Sequence, residues 1–306
     1  MSQTVVTSTT ASGVPQKVAP VSSRGYFMTQ RGASNMAMGN GNPHKIPKFD
    51  DPYKQREWML EHMAGAFRVF GRKDFAEGTA GHISVRDPVD PTTFWINPLG
   101  IHFSMVTAAD MIHIDEDGNI IGGNTSGTIN AAGFAIHSAL HKARPNINAA
   151  CHTHSVWGRA FSCFGKPLEM LNQDSCYFYK SHAVYEDFGG TAVEKEEGER
   201  IAKCAGETGR ALILQNHGLL TVGETVDEAA YLFTLLERTC KIQMMVNAAE
   251  TEFYRKQLIG EDEAAYTNFI SADPESMYMA FQPELNLEKF RDDSFMSYTK
   301  HPRHDK

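Results

Sequence analysis

The sequence predicts an α/β fold in which a mixed sheet carries helices on its faces. Helix-period and strand-period segments alternate along most of the chain, yet several early strand runs follow one another through tight turns. The second pattern argues against a purely parallel sheet, because parallel neighbours need a long crossover between them.

The elements follow in order. Residues 1–48 are rich in Ser, Thr, Gly, Asn and Pro and show no periodicity, which predicts a disordered tail. Residues 53–71 carry Trp58, Met59, His62, Met63, Ala66, Phe67 and Phe70 at helical spacing, and Gly71 is expected to stop that helix. Short β-type runs come next at 82–86, 94–97, 111–114 and 119–121, separated by turn signals such as Asn97-Pro98-Leu99-Gly100 and Asp117-Gly118-Asn119. A helix over 130–143 ends before Arg144-Pro145, and an apolar strand over 147–153 follows it. Residues 155–164 again read as helix, and 192–207 as a helix charged on one face. The strand 210–216 precedes a long helix, 226–250, whose start carries Thr225 with Glu228 three residues on, a capping-box pattern. The domain is expected to span 49–274; residues 275–306 lose periodicity and read as a C-terminal extension.

Bulk composition excludes several classes. The formal net charge is -8, which gives no electrostatic support for a general nucleic-acid role. No run of 18 apolar residues occurs, so no membrane span is expected. Cys151, Cys163, Cys176, Cys204 and Cys240 are odd in number and lack CxxC spacing, which fits reduced thiols in the cytoplasm. The acid-free, Ser-rich start leaves the mitochondrial matrix as an alternative location.

The most informative residues are His152 and His154. They end an apolar strand and, being two apart, project from the same face. His217 closes a second hydrophobic strand just before Gly218. Two strand ends supplying three imidazoles would hold a divalent cation and leave a position open for substrate. Cys151 alternates to the opposite face and reads as a small core residue.

Four segments in order, Glu77-Gly78-Thr79-Ala80-Gly81-His82-Ile83-Ser84-Val85-Arg86, Asn97-Pro98-Leu99-Gly100, Ala143-Arg144-Pro145 before His152-Thr153-His154, and Gln215-Asn216-His217-Gly218, resemble the class II aldolase/adducin family over roughly residues 55–250. The resemblance implies a three-layer α/β/α fold with a central mixed, mainly antiparallel sheet. It implies a zinc or similar divalent ion on His152, His154 and His217, with Fe, Mn or Co as alternatives. It also implies a homotetramer with active sites at subunit interfaces. Thr79, Gly81, Ser84 and Gly100 match positions of the substrate-contacting loops.

The resemblance breaks at two places. Where the sugar-phosphate aldolases carry a Ser-Ser-Glu run, this chain has Ala131, Ala132 and Gly133. None of these can transfer a proton or grip a phosphate through a side chain. In the phosphate loop, His82 replaces an Asn. His82 is therefore the first candidate for the missing acid/base, with a purely loop-bonding role as the competing reading. Asp174 is the second, with loop capping as its competing role, and Tyr179 (with Tyr177) is a candidate oxyanion donor on an aromatic stretch that also reads as core. His137 and His141 share a helix face without a third ligand and read as core or interface packing; Arg86 reads as a salt-bridge partner of the neighbouring Asp87, with pairing to a substrate carboxylate as the competing role.

These residues predict a metal-dependent lyase, aldolase or decarboxylase in type, acting on a small oxo- or hydroxy-acid through a metal-stabilised enolate. An iron-dependent oxygenase on the same histidines and a non-catalytic adducin-like scaffold are the alternatives. The C-terminal Lys300-His301-Pro302-Arg303-His304-Asp305-Lys306 holds no lysine cluster of the kind found at the tail of adducin.

Overall fold

The computed structural model describes residue 37, residues 39–190 and residues 195–298. Most of the expected N-terminal tail and the last eight residues lie outside these. Among the described residues, eight strands form one sheet: β1 (His82–Arg86), β2 (Phe94–Ile96), β3 (Ile112–Ile114), β4 (Ile120–Gly123), β5 (Ala149–Thr153), β6 (His182–Tyr185), β7 (Ala211–Leu214) and β8 (Gly218–Gly223). Their order is β4-β3-β2-β1-β5-β8-β7-β6. Every pairing is antiparallel except β6 with β7.

Among the described residues, seven α-helices accompany the sheet: α1 (Pro52–Arg72), α2 (Ala131–Ala143), α3 (Val156–Ser162), α4 (Lys195–Ala205), α5 (Val226–Ala249), α6 (Glu261–Ser271) and α7 (Pro274–Arg291). Strand alternation sorts their cores. Ile83, Val85, Ala149, Cys151, Ala211 and Ile213 point into a core shared with Phe67 of α1, Phe233 of α5 and Phe281 of α7. Ala150, Leu212, Leu214, Leu220 and Val222 point the other way, against Ile136 and Leu140 of α2 and Ile201 of α4. The result is the three-layer arrangement expected, with Cys151 on the side away from the histidines. Among the described residues, no helix is long and apolar enough to cross a membrane.

The structure departs from the sequence reading in several places. α1 does not stop at Gly71; it runs one residue further, and Gly71 is there because a Cβ would strike Ser104. β6 and β8 were not expected; β8 starts at Gly218 and pairs with both β5 and β7. Residues 274–291 are not a loose extension. They form α7, which buries Met277, Phe281 and Leu285 against α1 and α5. Their apolar residues are diluted by exposed polar ones, and Pro283 inside the helix disguises its period. The guanidinium of Arg86 does not pair with Asp87. It donates to the carbonyls of Pro91, His141 and Ile147, while Asp87 accepts from Arg56.

Candidate metal centre

His152 and His154 leave the end of β5, and His217 is the last residue of the three-residue loop that joins β7 to β8. Asn216 takes the left-handed conformation in that loop (φ 58°), which Asn tolerates better than most residues, and the His217 amide donates to the Leu214 carbonyl at 3.0 Å. Because β8 pairs with β5, with His152 opposite Leu220, the loop brings His217 back beside the His pair. The ring centroids of the three histidines are 4.8–5.2 Å apart. One ligand nitrogen from each lies within 4.8 Å of the others.

The donor chemistry fits a divalent cation. Burial, followed by the neighbouring histidines, holds His152 well below the usual imidazole range and His217 at about 4, so both are neutral near pH 7. Metal ligation requires neutral imidazole. His152 donates from Nδ1 to the Leu219 carbonyl at 2.8 Å, which leaves Nε2 as the free lone pair. Small side-chain rotations would bring three nitrogens to the roughly 2.0–2.1 Å at which histidine binds zinc.

His82 stands directly opposite His152 in the β1–β5 register, with ring centroids 5.0 Å apart. It is buried, and neither ring nitrogen has a hydrogen-bond partner beyond a marginal contact with the Gly81 backbone. The loop-bonding role is therefore not what the structure displays. Gly133 explains the fit: a Cβ there would lie 2.6 Å from His82 Cδ2 and 2.7 Å from Nε2. The His82 ring occupies the space that a side chain at position 133 would need. Gly81, with φ +95°, is equally constrained, since a Cβ would meet the Phe103 ring at 2.8 Å.

These residues open into a cavity of about 330 Å³. Ala80, Gly81, Ala132, Ile136 and Phe188 make one wall, while Asn130, Arg159 and Asn216 add polar groups to the histidines. Arg159 reaches Glu77 at 3.0 Å at the exposed rim. Sequence reasoning passed over Arg159 and Asn130; Asn130 carried a signal, because it caps α2 through Gly133 N–H. It also passed over Glu237 of α5. This buried carboxylate accepts from Ser155 Oγ at 2.6 Å and from the amides of Trp157 (2.8 Å) and Gly158 (2.6 Å), pinning the turn that follows His154.

Other expected site residues lie elsewhere. Ser84 is buried and does not line the cavity; its hydroxyl is held between His137 and His141 at 2.7 and 2.8 Å. Thr79 and Gly100 are exposed and do not line the cavity. Asp174 and Tyr179 are not brought to the cluster either. Asp174 opens the short 3-10 segment Asp174–Phe178 and Tyr179 follows it, just before β6, whose first residue pairs with Ala211 at the opposite end of β7 from His217. Their expected proximity to the His pair came from sequence distance, which the crossover to β6 defeats.

Comparison with known proteins agrees with this geometry. The family model described as the class II aldolase and adducin N-terminal domain matches residues 61–244. The chain is 47% identical over 243 residues to the meiotically up-regulated gene 14 protein of Schizosaccharomyces pombe, covering 79% of this chain and 93% of the relative. It is 43% identical over 205 residues to decarboxylase NovR of Streptomyces niveus, covering 66% and 75%. The same identity and length relate it to a 4-hydroxy-3-prenylphenylpyruvate oxygenase/4-hydroxy-3-prenylbenzoate synthase of Streptomyces roseochromogenus, covering 66% and 73%. Among solved structures, L-fuculose 1-phosphate aldolase from Glaciozyma antarctica superposes with a TM-score of 0.75 at 38% identity, covering 84% of this chain and 97% of the other. The chain belongs to the class II aldolase and adducin N-terminal domain family.

Proposed function

We propose that this chain is a metal-dependent carbon–carbon lyase that cleaves or decarboxylates a small oxo- or hydroxy-acid through an enolate. The observation that carries the reading is the convergence of His152, His154 and His217 at the floor of a cavity that also holds the unpartnered ring of His82. A divalent cation on the three imidazoles supplies Lewis acidity toward a substrate carbonyl or carboxylate. The chain's own residues do the rest. Arg159 is placed to meet a carboxylate at the rim. His82 is the group placed to accept or return a proton, in the role that a carboxylate at position 133 would otherwise fill. Ala131, Ala132 and Gly133 offer no side-chain donor to a phosphate, which favours an unphosphorylated substrate.

The decarboxylase relative supports the lyase reading, and zinc is the cation that three neutral imidazoles with an open position suit best. A homotetramer with sites at its interfaces and a cytoplasmic location, consistent with five unpaired cysteines, complete the reading. The relative described as an oxygenase favours one alternative, an iron-dependent oxygenase on the same ligands. The test combines metal analysis of anaerobically purified protein with assays on a panel of 2-oxo and 2-hydroxy acids. Zinc with product formation in the absence of oxygen is the expected result. Iron with stoichiometric oxygen uptake would replace the lyase by the oxygenase, and no turnover with any cation restored would overturn both.

A further inference from the structure

A buried polar chain runs from the metal centre into the interface between β1 and α2. His141 Nδ1 lies 3.3 Å from the Ile147 carbonyl. Ser84 Oγ lies 2.8 Å from His141 Nε2 and 2.7 Å from His137 Nδ1. His137 Nε2 and both nitrogens of His82 are buried without a hydrogen-bond partner, and the two rings touch, with centroids 4.7 Å apart.

The direction of this chain follows from counting hydrogens. A carbonyl only accepts, so His141 Nδ1 carries its hydrogen. Burial, with Arg86 nearby, keeps His141 neutral at about 3, so its Nε2 is a bare lone pair. The Ser84 hydroxyl has one hydrogen and gives it to that nitrogen. His137 Nδ1 must then donate to the Ser84 oxygen, because the opposite tautomer would set two lone pairs face to face. Burial keeps His137 neutral as well, so its Nε2 is bare where it meets His82. The backbone end cannot be reversed, and every member inherits its orientation from it.

We propose that Ser84, His137 and His141 form a positioning chain: it fixes the Nδ1–H tautomer of His137 and sets the Nε2 lone pair on the ring that packs against the unpaired His82 ring, where a small ring rotation would let it receive one N–H of His82 and leave the other His82 nitrogen a bare lone pair. His82 is thereby held in one tautomer, ready to accept a proton from a bound hydroxyl or an activated C–H. That last consequence rests on the lyase reading, whereas the tautomer order does not.

The two are tested separately. Long-range proton–nitrogen NMR on protein with 15N-labelled histidine, both metal-free and zinc-loaded, reads each tautomer directly. His137 and His141 are expected to be protonated at Nδ1 alone, and His82 at one nitrogen only. Ser84→Ala should return His137 to a mixture of tautomers while zinc affinity stays within about twofold, since His152 keeps its bond to Leu219. Should the alanine variant not fold, Ser84→Thr, which keeps the hydroxyl, and the isosteric Ser84→Val make the same contrast. An Nε2–H tautomer at His137 in the unaltered protein, or a His137 pattern indifferent to loss of the hydroxyl, would overturn the proposal. On a turned-over acid, Ser84→Ala should lower kcat about tenfold with KM unchanged, a loss of about 1.4 kcal/mol in transition-state stabilisation. If the tautomers are as described but no acid is turned over, the lyase reading fails and the chain stands.

Discussion

The two faces of the sheet treat their buried polar groups differently, using the same strands. Toward α1, α5 and α7 the core is built on the fully buried Phe67, Phe233 and Phe281, and polar groups buried among these helices are paired: His62 Nδ1 lies 2.8 Å from Asp227, which also accepts from Gln282. Toward α2, the ends of β1 and β5 bury His82, Ser84 and His152 against His137 and His141. β5 serves both sides through alternation, giving Cys151 to one and His152 to the other. Both faces bury polar side chains, but the first pairs His62, Asp227 and Gln282 with one another, whereas the second leaves both His82 nitrogens and His137 Nε2 without a hydrogen-bond partner.

Acid should break the second face first, and it is the largest effect expected. Seven histidines are held below the 6.5 of an exposed ring, chiefly by burial. The unfolded chain therefore binds protons before the folded one as pH falls. Their contribution is complete above about pH 6.5 and is lost on the way down to the folded values, about 4 for His217 and about 3 for His141. Glu228, raised to about 7 by burial, and Glu61, also raised by burial, act in the opposite direction, but they are two groups against seven. Urea midpoints of metal-free protein should drop steadily from pH 7 to pH 5; a flat profile would contradict this electrostatic picture.

Truncation should break the first face and spare the second. Phe67→Ala is expected to cost about 3–5 kcal/mol in denaturant unfolding. Zinc affinity of the folded fraction should stay unchanged, because Phe67 belongs to the core on the far side of the sheet. His154→Ala is the mirror experiment. It should weaken zinc binding by more than about 100-fold, beyond the range of outer-shell changes. Its thermal midpoint without metal should stay near that of the unaltered protein, since His154 is only partly buried.

Gly133→Ala sharpens the comparison by pushing a methyl into the His82 ring. A loss of about 1–3 kcal/mol is expected. Most of it should be recovered when His82→Asn is added, and additivity of the two changes would mean that the contact is not what the glycine serves. The smallest effect is assigned to Glu237→Gln. Loosening the turn after His154 should weaken zinc binding about tenfold, readable by competition with a chelator.

Much of this was legible in the residues themselves. The His-Thr-His pair and His217 needed only period two and an apolar run to be singled out, and the family resemblance supplied the layers. What stayed hidden depends on distance along the chain. Glu237 reaches Ser155 across 82 residues, and Ser84 reaches His137 across 53, so neither role leaves a local trace. α7 was hidden because Pro283 and exposed polar residues blur its apolar face. Asp174 and Tyr179 illustrate the converse: chemically suitable side chains near the His pair in sequence, carried to the far end of β7 by the crossover to β6.

The pairing of β5 with β8 has a thermodynamic consequence. His217 sits more than sixty residues from His152, and only that pairing unites them. An unfolded chain offers a cation two imidazoles at most from one short stretch, whereas the native chain offers three. Cation binding is therefore linked almost wholly to the native state, and saturating it a thousandfold above its dissociation constant adds about 4.1 kcal/mol of protection against unfolding.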